Sequence, residues 1–246
     1  MTMTMIRSST VLPARRSDIS FQTSDGLTLV GELALPVTGT PAATLLWCHP
    51  LPTAGGYMDS HVIRKAANRL PAMAGIAVLR FNFRGVSSPR GTSEGTFGDG
   101  EQEGLDLEAA LRFLAESGLH SPWLVGWSFG TEVILKHAPD SAYPFSGAFL
   151  LSPPLHRTTE SDLTRWVGRP EPVVALVPEH DDFLQPAEAT RRFAAIPHAE
   201  VIPAAGAKHL FVGEKYTHLA LSEIVAKVAP DVLPLPTEWP EGQSEA

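Results

Sequence analysis

Gly126-Trp127-Ser128-Phe129-Gly130 is the stretch whose reading decides the fold of this chain. It follows a short apolar run, Trp123-Leu124-Val125, and leads into Thr131-Glu132-Val133-Ile134-Leu135-Lys136, which has helical character. A strand, a tight turn carrying a serine, and a helix are expected in that order. A serine in such a turn takes a strained backbone conformation, and glycines two residues to either side avoid the resulting steric conflict. The turn lifts the hydroxyl above the sheet edge and aims the N-terminus of the following helix at any negative charge that develops there. A tight turn with a serine that merely caps the helix fits the same five residues, so the pattern needs its surroundings.

The surroundings alternate between strand and helix. From Ile19 apolar and polar residues alternate, turn at Ser24-Asp25-Gly26 and resume as Leu27 to Leu33, which predicts an antiparallel hairpin. Thr44 to Cys48 is continuously apolar, as in a strand covered on both faces. A helix is expected over Ser60 to Met73, a strand over Ile76 to Phe81, and an amphipathic helix over Gln102 to Ala115 with Leu105, Leu107, Leu111 and Leu114 as its apolar set. After the serine turn come strands at Gly147–Leu151, Val173–Val177 and Glu200–Ile202, with helices over Pro186–Ala195 and Tyr216–Val228. The fold class is therefore α/β, a doubly wound and mostly parallel sheet of about eight strands with an N-terminal antiparallel hairpin. Residues 1–18 read as an extension, 19–229 as the domain, and 230–246, rich in proline and acid, as a loose tail. The stretch from Ser152 to Pro172 carries no strand and is too short for a separate lid.

With 246 residues, 43% of them hydrophobic and 19% charged, the chain can bury a full core as one domain. A formal charge of −8 argues against a nucleic-acid partner, which calls for a basic face. The single Cys48 excludes an internal disulfide. Nowhere is there an apolar run near twenty residues, and Met1 to Arg16 lacks the pattern of a secretory signal, so a cytoplasmic location and no membrane partner are expected. The histidines show no metal-ligand spacing, so no metal or other cofactor is expected. Nothing in the sequence sets the oligomeric state.

A serine hydroxyl becomes a nucleophile only with a histidine base, itself oriented by a carboxylate. In an open parallel sheet such groups gather at the C-terminal ends of the strands, and this rule selects among nine histidines and 27 acids. Asp181 lies just beyond the strand Val173–Val177, with Asp182 as chief rival and Glu179 as a weaker one. The Asp pair could instead cap the helix that starts near Pro186. His209 follows the last strand, whereas His198 precedes it, His218 lies inside a helix and His180 crowds the acid loop. The order Ser128, Asp181, His209 is that of a nucleophile, an acid and a base. An oxyanion needs backbone N–H donors. Phe129, just after the serine, supplies one; in His49-Pro50-Leu51-Pro52 only Leu51 combines an N–H with the right place, because proline has none. His49 is read as orienting that loop by a hydrogen bond, Gly55-Gly56 as keeping the approach open, and Cys48 as a buried strand residue.

Taken together, the His49-Pro50-Leu51-Pro52 loop, Arg80-Phe81-Asn82-Phe83-Arg84-Gly85, the serine turn, His180-Asp181-Asp182 and Lys208-His209-Leu210-Phe211 resemble the α/β-hydrolases, over roughly Phe21 to Ala229. The similarity is to small, lidless bacterial members related to dienelactone hydrolases and acyl-peptidase-like esterases. It implies Ser128 as nucleophile, His209 as base, Asp181 as orienting acid, and Leu51 and Phe129 as oxyanion donors. Dienelactone hydrolases carry a cysteine nucleophile, so lactone hydrolysis does not follow, and Pro178 stands where the family's acid loop often begins with glycine. The loop Gly85 to Gly91 resembles a phosphate cradle but lacks the lysine and spacing of a P-loop. The expected activity is hydrolysis of a small carboxylic ester or related acyl substrate, with Trp166 and Phe97 as pocket walls. A thioesterase or acyltransferase would use the same residues, and a non-catalytic binding module is the reading from another class.

Overall fold

The computed structural model of the protein describes residues 2–241. A short strand β1 (Met3–Met5) precedes the expected hairpin, β2 (Arg15–Gln22) and β3 (Thr28–Leu35), whose register runs from Arg15–Leu35 to Gln22–Thr28. Then come β4 (Ala43–Cys48), α1 (His61–Ala74), β5 (Ile76–Phe81) and a two-residue pair, β6 (Ser87–Ser88) and β7 (Gly91–Thr92). Next follow α2 (Glu103–Glu116), β8 (Trp123–Trp127), α3 (Phe129–His137), β9 (Gly147–Leu151) and the short α4 (Glu160–Thr164). The chain closes with β10 (Val173–His180), α5 (Pro186–Phe193), β11 (Ala199–Lys208), α6 (Glu214–Val228) and β12 (Glu238–Pro240).

The main sheet has eight strands in the order β11-β10-β9-β8-β4-β5-β3-β2. All pairings from β5 to β11 are parallel, and β3 is antiparallel to both of its neighbours. Side chains alternate between the two faces. Leu46 and Cys48 of β4, Leu124 of β8 and Ala148 and Leu150 of β9 share one core with α2, α3 and α5. Leu45 and Trp47, Val125 and Trp127, and Phe149 and Leu151 share the other with α1 and α6. A one-residue slip of any of these strands would exchange the two sets, so the register is fixed by both cores at once. The order reverses between β4 and β8: β4 leads through α1 to β5 on one side, and β5 leads through α2 to β8 on the other. Loops after β4 and β8 therefore diverge above the sheet and leave a crevice at this point.

Several expectations change. Leu105 is exposed, because it stands two residues and so about 200° around the helix from Leu107. Buried Asp106, Ala109 and Ala110 complete the inner face instead. The last strand is ten residues long rather than three, continuing through Pro203 and Gly206. The segment from Pro230 is not loose over its described part: β12 pairs antiparallel with β1, Thr4 opposite Trp239, and the Ile6 N–H donates to the Thr237 carbonyl at 2.8 Å. Residues 242–246 of that segment lie outside the described residues. Among the described residues no helix is long and apolar enough to cross a membrane.

Candidate active site

Ser128 sits between β8 and α3 with φ 52° and ψ −118°, a conformation that costs a non-glycine residue about 1–3 kcal/mol. Packing from both sides forces it. A Cβ on Gly126 would lie 2.6 Å from the Thr131 nitrogen, and a Cβ on Gly130 would overlap the Cys48 carbonyl. The helix start is thus pressed onto the end of β4, and the flanking glycines answer a close approach of backbones. The Ser128 N–H donates to the Leu151 carbonyl at 2.8 Å, which ties the turn to β9.

The hydroxyl of Ser128 is 2.9 Å from His209 Nε2. His209 Nδ1 faces the Asp181 carboxylate, 2.9 Å from Oδ2 and 3.1 Å from Oδ1. A carboxylate only accepts, so the imidazole proton sits on Nδ1 and Nε2 presents its lone pair to the Ser128 hydroxyl. Asp181 is 4% and His209 7% exposed, so their contact lies largely out of water. Asp181 Oδ1 also accepts from the Phe183 N–H at 2.8 Å. Asp182 is exposed, and Gln185, the N-cap of α5, makes no side-chain cap. The aspartate loop is therefore built around Asp181 and does not cap the helix. His198 is at the opposite end of the strands and pairs with the Glu171 carbonyl, and His180 is exposed beside Glu179.

The loop after β4 lies beside the serine turn, since Cys48 pairs with Gly126. His49 is fully buried; its Nε2 accepts from the Phe83 N–H at 3.1 Å, so its Nδ1–H donates to the Pro50 carbonyl at 2.7 Å. In a planar trans peptide that bond also fixes the direction of the next N–H, that of Leu51. The Leu51 N–H has no protein acceptor among the described residues, and the Phe129 N–H opens α3, where no carbonyl lies one turn below it. Gly56 does not hold the approach open: a Cβ there would overlap the Pro50 carbonyl, and its N–H donates to Leu51 O at 2.9 Å. Cys48 is buried as expected, and burial, helped by Asp106, pushes its thiol far up.

Burial holds His49 neutral, lowering its pKa from 6.5 to about 4. An unfolded chain then binds this proton before the folded one does. The resulting stabilisation, on the order of 3 kcal/mol, is complete above pH 6.5 and lost as the pH falls towards 4. The urea midpoint should drop across that window. It should drop less in His49→Asn, which has no proton to gain; equal slopes in the two proteins would contradict the assignment.

Sequence reading misplaced one residue and missed others. Trp166 walls no pocket: it is fully buried, donates to Leu135 O at 3.0 Å and packs on Phe145. Phe97, half-buried, packs on the Phe129 ring with centroids 5.5 Å apart. Unforeseen were Phe183, edge-on to the His209 ring at 4.5 Å, and His61, whose Nε2 lies 2.8 Å from the Leu210 carbonyl. Ser152 and the Trp127 indole both reach the His209 carbonyl, at 2.7 and 3.3 Å. Among the described residues no three His, Cys, Asp or Glu side chains gather as a metal site.

No protein-family model matches the chain. It is 31% identical over 150 residues to an uncharacterised protein of Rickettsia prowazekii, a match that spans 60% of each chain. Its fold is similar to that of a lidless α/β serine hydrolase from Xanthomonas campestris, with 26% identity, a TM-score of 0.71 and coverage of 92% of this chain and 99% of that one. An α/β serine hydrolase homologue from Coxiella burnetii aligns at 25% identity and TM-score 0.70, covering 85% and 97% of the two chains. The esterase Pf2001 of Pyrococcus furiosus shares the fold at 17% identity and TM-score 0.69, over 87% of this chain and 93% of that one. The sheet order, the serine turn and the short segment after β9 agree with these likenesses: the chain has the lidless α/β serine hydrolase fold.

Proposed function

We propose that the chain is a serine hydrolase that cleaves small carboxylic esters through an acyl-enzyme on Ser128. The observation that carries this reading is the unbroken chain of contacts from Ser128 Oγ through His209 to Asp181, at 2.9 Å on each side of the imidazole. As Oγ attacks the acyl carbon, His209 Nε2 takes its proton, and the imidazolium is held against the Asp181 carboxylate. The Leu51 and Phe129 N–H groups receive the oxyanion on this reading, which the lack of a protein acceptor for either among the described residues supports. His209 then returns the proton to the departing alkoxide. Water enters and its oxygen attacks the acyl carbon as Nε2 takes its proton; the tetrahedral intermediate then expels Oγ, which takes that proton back from Nε2, so the acid is released and Ser128 restored. Phe183 and Leu210, 53% and 50% exposed beside the base, give the site an apolar rim that suits a short neutral acyl group better than a charged one. The substrate is a soluble small molecule on this reading, and no cofactor takes part.

A fluorophosphonate probe tests the proposal, because only an activated hydroxyl displaces its leaving group. We expect stoichiometric labelling of the purified protein that maps to Ser128, and turnover of p-nitrophenyl acetate or butyrate. Folded protein that takes no label would point to a binding module. Turnover confined to acyl thioesters in a panel of esters, thioesters and lactones would move the activity to a thioesterase.

A further inference from the structure

Ser152 ends β9 as Ser128 ends β8. Trp127 pairs with Leu151, so the two serines stand side by side, and both have positive φ, 52° and 47°. The Ser152 N–H donates to the Leu176 carbonyl at 3.0 Å, as the Ser128 N–H does to Leu151. Unlike Ser128, Ser152 is 1% exposed, so it cannot meet a substrate. Its hydroxyl instead donates to the carbonyl oxygen of His209 at 2.7 Å, and the Trp127 indole N–H donates to the same oxygen at 3.3 Å.

His209 lies just past the end of β11, in a tight turn where Phe211 has φ 49° and its N–H returns to Lys208 O at 2.9 Å. No ladder hydrogen bond holds a residue in that position. The two donors use both lone pairs of its carbonyl and fix its backbone against β8, which leads into Ser128, and its neighbour β9. We infer that Ser152, with the Trp127 indole, is a positioning device for the base: it sets the distance between His209 and Ser128 from the backbone side, while Asp181 sets the ring orientation. This rests on the proposed serine mechanism. A base displaced by 1 Å loses on the order of 100-fold in rate, so a clamp that holds part of that distance matters at the chemical step and not in binding.

Ser152→Gly removes the hydroxyl at a φ that glycine adopts freely, so backbone strain does not rise. With p-nitrophenyl acetate we expect kcat to fall about tenfold with KM within about twofold. In an Asp181→Asn background, where the base is already misoriented, the same substitution should cost no more than about twofold, because both act through one imidazole. Unchanged kcat, a loss carried by KM, or full tenfold loss in both backgrounds would overturn the inference. Should Ser152→Gly fail to fold, Trp127→Phe decides: it keeps a buried ring, deletes the second donor, and should lower kcat about threefold, whereas an unaltered kcat overturns the clamp. Fluorophosphonate labelling of the wild-type protein separates the two levels. Unlabelled wild type sinks the serine mechanism and the clamp together; labelled wild type with an unaffected Ser152→Gly sinks the clamp alone.

Discussion

Ser128→Ala should lower kcat on p-nitrophenyl esters by about 10⁵- to 10⁶-fold and remove the burst of released nitrophenol. The size follows from the division of labour at the site. Without Oγ there is no acyl-enzyme, and His209 has nothing to deprotonate except a water that the turn does not hold. What survives is whatever the Leu51 and Phe129 amides do for an oxyanion formed by free water. Stability should hardly change: only one atom is lost, and the φ of 52° is as strained for alanine as for serine. The measurement is kcat together with the thermal midpoint. Activity within tenfold of wild type, at an unaltered midpoint, would mean that the nucleophile is another residue.

Asp181→Asn should cost about 10⁴-fold in kcat, while Asp182→Asn stays within about twofold. The neighbouring aspartates differ by one position in sequence and completely in environment. Asp181 is buried, on His209 Nδ1 and bonded by the Phe183 N–H, and Asp182 is exposed. An asparagine at 181 can offer its N–H to Nδ1, which then carries the lone pair and drives the proton to Nε2. The hydroxyl of Ser128 then meets a donor where it needs an acceptor. Both variants keep the loop's shape, so their thermal midpoints should lie close together. Comparable losses at the two positions would mean that the loop, and not the carboxylate on the imidazole, is what matters.

The parts of this molecule that were legible in its sequence are those with local signatures. The hairpin strands announce themselves by alternation, the parallel strands by short apolar runs, and the serine turn by glycines that backbone contacts with Cys48 and Thr131 make obligatory. Ser128, Asp181 and His209 were reachable because the C-terminal ends of parallel strands are the only places from which three distant segments converge. What stayed hidden depends on contacts without periodicity. The pairing of β1 with β12 joins two three-residue strands from opposite ends of the chain, and neither is long enough to show an alternation. Ser152 and His209 meet 57 residues apart through one hydroxyl and one carbonyl, and nothing around Ser152-Pro153-Pro154 marks a serine for that task. Trp166 was misread because a tryptophan in a loop looks like a wall, when its indole N–H had found the Leu135 carbonyl inside. Leu105 shows a different failure: four leucines in ten residues look like one stripe until their angles are counted.

The antiparallel pairing of Met3 with Pro240 has a consequence for how this molecule can be rebuilt. Thr2 and Glu241 are already neighbours, the Glu241 N–H donating to the Thr2 carbonyl at 2.9 Å, so a short linker of glycine and serine between these two positions would splice the fold into a ring. The exposed turn Val37 to Thr40, with Gly39 at φ 78° and nothing within 4 Å of its missing Cβ, is a natural place to reopen that ring. New ends there would emerge ahead of β4, at the end of the parallel strands opposite Ser128. A permuted chain of this kind keeps every strand pairing of the main sheet and turns β1 and β12 into the two arms of a single internal hairpin.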